Sequence, residues 1–131
     1  MMSAAQRGGH AAVLAAFLSA GSVATAQDAI YPAAQCAAFW FRYTDYAKVS
    51  PYLDFDPSDL RAAEAFREVA LRLAGTESEV ETYIAAQRPL MARLMESYIY
   101  NGDAQSRDIF ERLNQTCQDF ATRHPETRDL R

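Results

Sequence analysis

The stretch from Thr76 to Gly102 constrains the fold of this chain more than any other. Val80, Ile84, Gln87, Met91, Leu94 and Tyr98 recur there at alternating steps of four and three, the spacing of a packed helical seam. Tyr83 and Leu90 widen the stripe on one side, Met95 and Ile99 on the other. About half the cylinder is then apolar, against roughly 100° for an ordinary surface helix. Such a helix has to touch several neighbours, and it is expected to be the most deeply buried in the molecule. Its start reads as a capping box, Thr76-x-x-Glu79, with Glu77, Glu79 and Glu81 at the positive end of the dipole. Gly102 is placed to take the left-handed conformation that ends a helix. Pro89 lies inside, where a proline removes one hydrogen bond and typically costs ~3 kcal/mol. The seam keeps its phase across Pro89, so one helix over 77–101, kinked near Pro89, is expected in place of two.

Three further segments supply partners for that seam. A first helix over 33–48 opens at Pro32 and stops before Ser50-Pro51. Its core face carries Cys36, Phe39, Trp40, Tyr43 and Tyr46, and Phe41 projects about opposite. A second helix over 57–74 is capped by Asp56, opened by Pro57 and closed by Gly75, with Ala62, Phe66, Val69 and Leu73 inward. The last, over 104–123, follows the N-cap Asp103 and carries Ser106, Phe110, Leu113, Cys117 and Phe120 along its seam. Glu68 with Arg72, Asp103 with Arg107, Asp108 with Arg112 and Asp119 with Arg123 stand four apart with the acid first, as solvated-face pairs do. The connectors after the second and third helices are short, which makes those neighbours antiparallel. The expected fold is all-α: a small disulfide-linked antiparallel four-helix bundle, with a polar, frayed tail from Glu126.

Residues 1–26 read as a cleaved secretory signal peptide. Arg7 is the only charge before Asp28, Ala11 to Leu18 form a short apolar run, and Ala24-Thr25-Ala26 supplies small residues for cleavage before Gln27. The run falls far short of the ~20 apolar residues that span a bilayer, so no membrane span is expected after cleavage. Residues 27–131 then form a single helical domain. Without Arg7 the chain has 12 basic residues against 17 acidic ones. That balance disfavours a nucleic-acid or anionic-membrane surface. An arginine bias and many alanines suit a bacterial chain, for which export means the periplasm or the medium.

Two cysteines in an exported chain are most simply one disulfide. Cys36 and Cys117 each lie on the apolar face of their helix, so both sulfurs point to one interior. A catalytic dithiol would want a Cys-x-x-Cys pair, which is absent from the sequence.

Little catalytic chemistry is written in the rest. His124 is the one histidine of 27–131, too few for a zinc site once the cysteines are paired. Met91 or Met95 with His124 could clamp haem, but methionines at seam spacing are ordinary core filler. Asp54, Asp56 and Ser58 mimic the start of a calcium loop, which then fails at Asp59 and Ala65. No glycine loop cradles a phosphate and no glycine-framed serine forms a nucleophile elbow. The chain is therefore expected to be no enzyme, to hold no metal and no cofactor, and to bind another exported or envelope protein. The candidate patch is Phe41 with Tyr52, Leu53 and Phe55, aromatics rimmed by acids. The alternative is a carrier of a small apolar ligand, held between the first and third helices by Trp40, Tyr43, Tyr83, Met91 and Met95 with Gln87 as polar anchor.

Overall fold

The structure is a computed structural model that describes residues 32–74 and 76–127. The signal segment 1–26, the expected helix stop at Gly75 and the end of the tail from Arg128 lie outside the described residues. Those described form four α-helices: α1 (Ala33–Ala47), α2 (Pro57–Ala74), α3 (Glu77–Met95) and α4 (Ala104–Arg123). A π turn (Glu96–Tyr100) continues α3, and a 3-10 turn (Pro125–Thr127) follows α4. There is no strand among the described residues, and Cys36 is bonded to Cys117 with their Cα atoms 5.6 Å apart.

The most deeply buried helix is α1, not the Thr76–Gly102 segment. Ala33, Ala34, Cys36, Ala37, Ala38, Phe39, Thr44, Tyr46 and Ala47 are all buried, and they lie all round the cylinder where one stripe was expected. A helix that is apolar all round belongs in an interior. The alanines are the reason, because small side chains let neighbouring backbones approach from every direction. α1 packs most extensively on α2 and α3 and also meets α4. The pair that meets least is α2 and α4, although Phe66 and Phe120 place their rings 6.0 Å apart.

The long segment runs unbroken through Pro89 as helix. Its buried line is Val80, Ile84, Met91 and Met95, so the stripe leans toward Met95, and Leu90 on the other flank is exposed. At the start, the Thr76 hydroxyl donates to the Glu79 carboxylate at 2.7 Å and makes no cap to a backbone N–H. The two side chains of the expected capping box satisfy each other instead. At the far end the ladder widens: the Asn101 N–H donates to the Glu96 carbonyl, five residues back, at 3.3 Å. Gly102 then takes φ +62°, and the N–H groups of Gly102 and Asp103 donate to the carbonyls of Tyr98 and Ser97. Only glycine adopts that φ without strain.

The other caps follow the sequence. Asp56 Oδ1 accepts from the Ser58 N–H at 2.8 Å, and Asp103 Oδ2 accepts from the Ser106 N–H at 2.8 Å. The Ser106 side chain first, and then this backbone N–H, favour the ionised carboxylate and hold Asp103 below the usual carboxylate range. On α2, Leu73 is exposed although it continues the seam.

None of the four expected i,i+4 ion pairs forms, although Arg107 pairs with Glu111 at that spacing. Arg72 reaches Glu126, Asp103 serves as cap, Arg112 donates to the backbone carbonyl of Asp108, Asp119 accepts from Gln115 and Arg123 lies over the Phe120 ring. Such exposed pairs are worth a few tenths of a kcal/mol, so any competing partner displaces them. The bond from Arg72, with the backbone, holds Thr127 and Glu126 in an ordered turn where fraying was expected. The Thr127 side chain is buried and donates to the His124 carbonyl. A bond to its own backbone and then the Arg72 guanidinium keep the Glu126 carboxyl below its ordinary range.

The core has two parts. Around the disulfide, Phe66, Val69, Val80, Ile84 and Phe120 pack on the alanines of α1. Toward the other end of α1, Phe39, Tyr46, Met91 and Met95 gather Tyr43, Leu53, Ile99 and Phe110. The disulfide closes a loop with a sequence separation of 81. Replacing both cysteines with serine is expected to lower unfolding free energy by about 4 kcal/mol, read as a lower urea midpoint. An unchanged midpoint would mean the bond constrains nothing.

Candidate functional site

The segment between α1 and α2 is fixed at three places. The Ser50 N–H donates to the Tyr46 carbonyl at 2.8 Å, and Ser50 Oγ accepts from the Tyr52 N–H at 3.1 Å. Leu53 is half-buried and packs into the second core cluster. Asp56 then starts α2. A backbone held in this way leaves little choice for the side chains between its fixed points. Val49 is 80% exposed, Tyr52 66% and Phe55 42%.

Of these side chains, Tyr52 meets the end of the π turn. Tyr100, 47% exposed, sets its ring 5.2 Å from Tyr52 and 5.4 Å from Tyr46, both edge to face. Lys48 Nζ stands 5.4 Å over the Phe55 ring. Asp54 and Asp56 are exposed beside them. The result is an aromatic surface on fixed backbone with carboxylates at its edge.

Of the four residues expected in one patch, Tyr52 and Phe55 are exposed on this loop, and Leu53 between them packs inward against the second core cluster. Phe41 is elsewhere. It packs against the first core cluster and is covered by Arg88, whose guanidinium lies 5.6 Å from the ring centre while it binds Asp45 at 2.5 Å. Tyr100 joins Tyr52 there, and Val49 is exposed on the same connecting segment. Tyr100 could have been suspected from its place just before the Asn-Gly stop, beyond the last seam residue. Val49 carried no periodic signal.

The residues expected to hold a ligand are also divided. Gln87 and Met91 line a groove of about 440 Å3 between α3 and α4, with Leu90, Leu94 and Leu113. Gln35 of α1 reaches its wall and has a buried amide oxygen without a hydrogen-bond partner among the described residues. Trp40 packs edge-on between Phe39 and Tyr43 and does not line the groove. Tyr83 packs against the first core cluster, and Met95 is sealed in the second. Tyr43 opens on a different cleft, of about 350 Å3, with Leu53, Tyr98, Ile99 and Phe110.

Among the described residues, no three His, Cys, Asp or Glu side chains gather closely enough to hold a metal ion. No helix there is long and apolar enough to cross a membrane. Comparison with family models, with curated proteins and with solved structures finds no match for this chain.

The two kinds of aromatic position separate by mutation. Phe41→Ser is expected to cost about 1–3 kcal/mol, as loss of a packed ring does, whereas Tyr52→Ser stays within about 0.5 kcal/mol, as at an exposed site. Thermal melts of both variants check this, and equal melting points would contradict the placement.

Proposed function

We propose that this chain is an exported, antiparallel helical bundle without catalytic activity that works by binding another envelope protein. The exposed contact between Tyr52 and Tyr100, with Val49 and Phe55 exposed on the same connecting segment as Tyr52, carries the reading. Aromatic side chains held on fixed backbone are what the centre of a protein interface uses, because little ordering entropy is left to lose on association. Asp54 and Asp56 beside them favour a partner with an apolar centre and a basic edge.

Export is supported by the disulfide, which persists in oxidising compartments, and by the leader-like residues 1–26. The matured chain would begin at Gln27 and reside in the periplasm or the medium. The antiparallel order is supported by the two-residue link between α2 and α3 and the three-residue link before α4.

The test compares the oxidised chain with a Tyr52→Ser/Phe55→Ser variant as bait in a periplasmic extract. A protein held stoichiometrically by the parent and lost by the variant, at unchanged melting temperature, is the expected outcome. Equal retention by both baits would sink the reading.

A second reading, a carrier of a small apolar compound, is favoured by Gln87 and Gln35 at the groove between α3 and α4. A buried amide oxygen without a partner costs about 1–3 kcal/mol, which a ligand donor would recover. On this reading a lipophilic fluorescent probe binds the parent saturably, and Gln35→Leu raises the affinity for a purely apolar probe while weakening a hydroxylated one. Indifference of both probes to the substitution would exclude the groove.

A further inference from the structure

The cleft beside the exposed surface has a composition that suits one kind of guest. Tyr43, Tyr98 and Phe110 wall it, with Leu53 and Ile99. The Tyr98 and Phe110 rings are 5.2 Å apart at 53°, and Tyr43 and Phe110 are 6.5 Å apart at 43°. Three rings inclined to one another in this way are walls and not a stack. Phe39 supports them from behind, 5.0 Å from Phe110 and 6.4 Å from Tyr43. The π turn contributes two adjacent residues, Tyr98 and Ile99, to the same cleft.

Two carboxylates act on one wall of the cleft. Burial first, then the carboxylates of Asp59 and Asp54, push the Tyr43 phenol above its ordinary range, so both acids act on this cleft. Asp54 stands exposed on the fixed loop, next in sequence to Phe55, which has the nearby Lys48 above its ring. Aromatic ring faces are themselves negative and attract a cation within about 6 Å.

The walls also select among cations. A primary ammonium carries three donors that each want an acceptor, and the cleft walls offer few besides the two phenol oxygens. A quaternary ammonium has no donors and presents methyl groups, which ring faces, Leu53 and Ile99 can all contact. We propose that this cleft is a binding site for a quaternary ammonium group, held against Tyr43, Tyr98 and Phe110 and drawn by the field of Asp54. The inference is independent of the protein-partner reading, because Tyr52 and Phe55 do not line the cleft.

The test titrates choline, and separately its neutral carbon isostere 3,3-dimethylbutan-1-ol, into the full oxidised chain by calorimetry. Choline is expected to bind saturably and roughly tenfold more tightly than the isostere. Phe110→Leu should abolish that preference, and Asp54→Asn, on the exposed loop and harmless to folding, should weaken choline alone by a few fold. Tyr52→Ser/Phe55→Ser should leave choline binding intact even where partner binding is lost. Sedimentation with phosphatidylcholine vesicles, against phosphatidylglycerol vesicles, identifies the source: selective capture points to a lipid headgroup, and choline binding without capture points to a free solute. Equal affinity for choline and its isostere, or no saturation by choline in the millimolar range together with no selective vesicle capture, overturns the proposal.

Discussion

Ala33, Ala34, Ala37 and Ala38 let neighbouring backbones come closer to α1 than larger side chains would permit, and the other helices are arranged around that closeness. All four are fully buried. With α2 and α3 drawn against the same short helix, α2 and α4 are left as the pair that meets least. Interiors are packed as densely as crystals, so the side chains facing α1 are fixed in size as well as kind. Phe66 and Phe120 fill the space that the alanines leave near the disulfide, and Met91 and Met95 fill it beside Phe39. A bond between Cys36 and Cys117 is then reachable because α1 sits inside the molecule. The bond in turn ties the buried helix to α4, with which it shares less contact than with its other neighbours.

Helix positions, the cysteine pairing and the caps other than Thr76 were legible because each rests on local chemistry. Asp56 and Asp103 do what a carboxylate at an N-cap does, Gly102 turns where only glycine turns freely, and Pro89 is carried inside a helix whose register never changed. The rank of the helices was not legible. Phe41 lies opposite Cys36 on α1, and a periodicity count treats that as an outer face, yet a cylinder lined with alanine has no outer face once two neighbours close on it. The same blindness placed Leu73 and Leu90 inside. Each continues an apolar spacing, but the stripe that spacing defines is wider than the surface available to cover it.

Side-chain pairing was equally hard to read. Arg72 lies one turn from Glu68 and bonds to Glu126, far along the chain. An exposed pair gains so little that tertiary neighbours decide it. Arg88 shows the stronger version of this, joining α3 to α1 through Asp45 and covering the Phe41 ring with the same guanidinium. The expected patch therefore lost its central ring to an arginine and gained Tyr100 from the end of the π turn. Neither exchange is visible in a spacing of three and four: the first is a tertiary contact between helices, and in the second the π turn adds a residue and moves everything after it.

That turn also explains why the recognisable features sit at one end of the molecule. At the disulfide end the helices are closed by a covalent bond and small residues, which leaves little room for side chains to project. At the other end the chain must pass from α1 to α2 through nine residues and from α3 to α4 across the widened turn, and both passages bring aromatics with them. Leu53 enters the core and holds the first passage, while Tyr98 and Ile99 hold the second against Phe110. Once those side chains are committed inward, Tyr52, Phe55 and Tyr100 have only solvent or a partner to face. Exposed aromatics on a backbone that hydrogen bonds and a buried leucine already fix cost little more to order, and an acidic loop beside them gives the surface a sign. The same packing that leaves the rings outside is what keeps them in place.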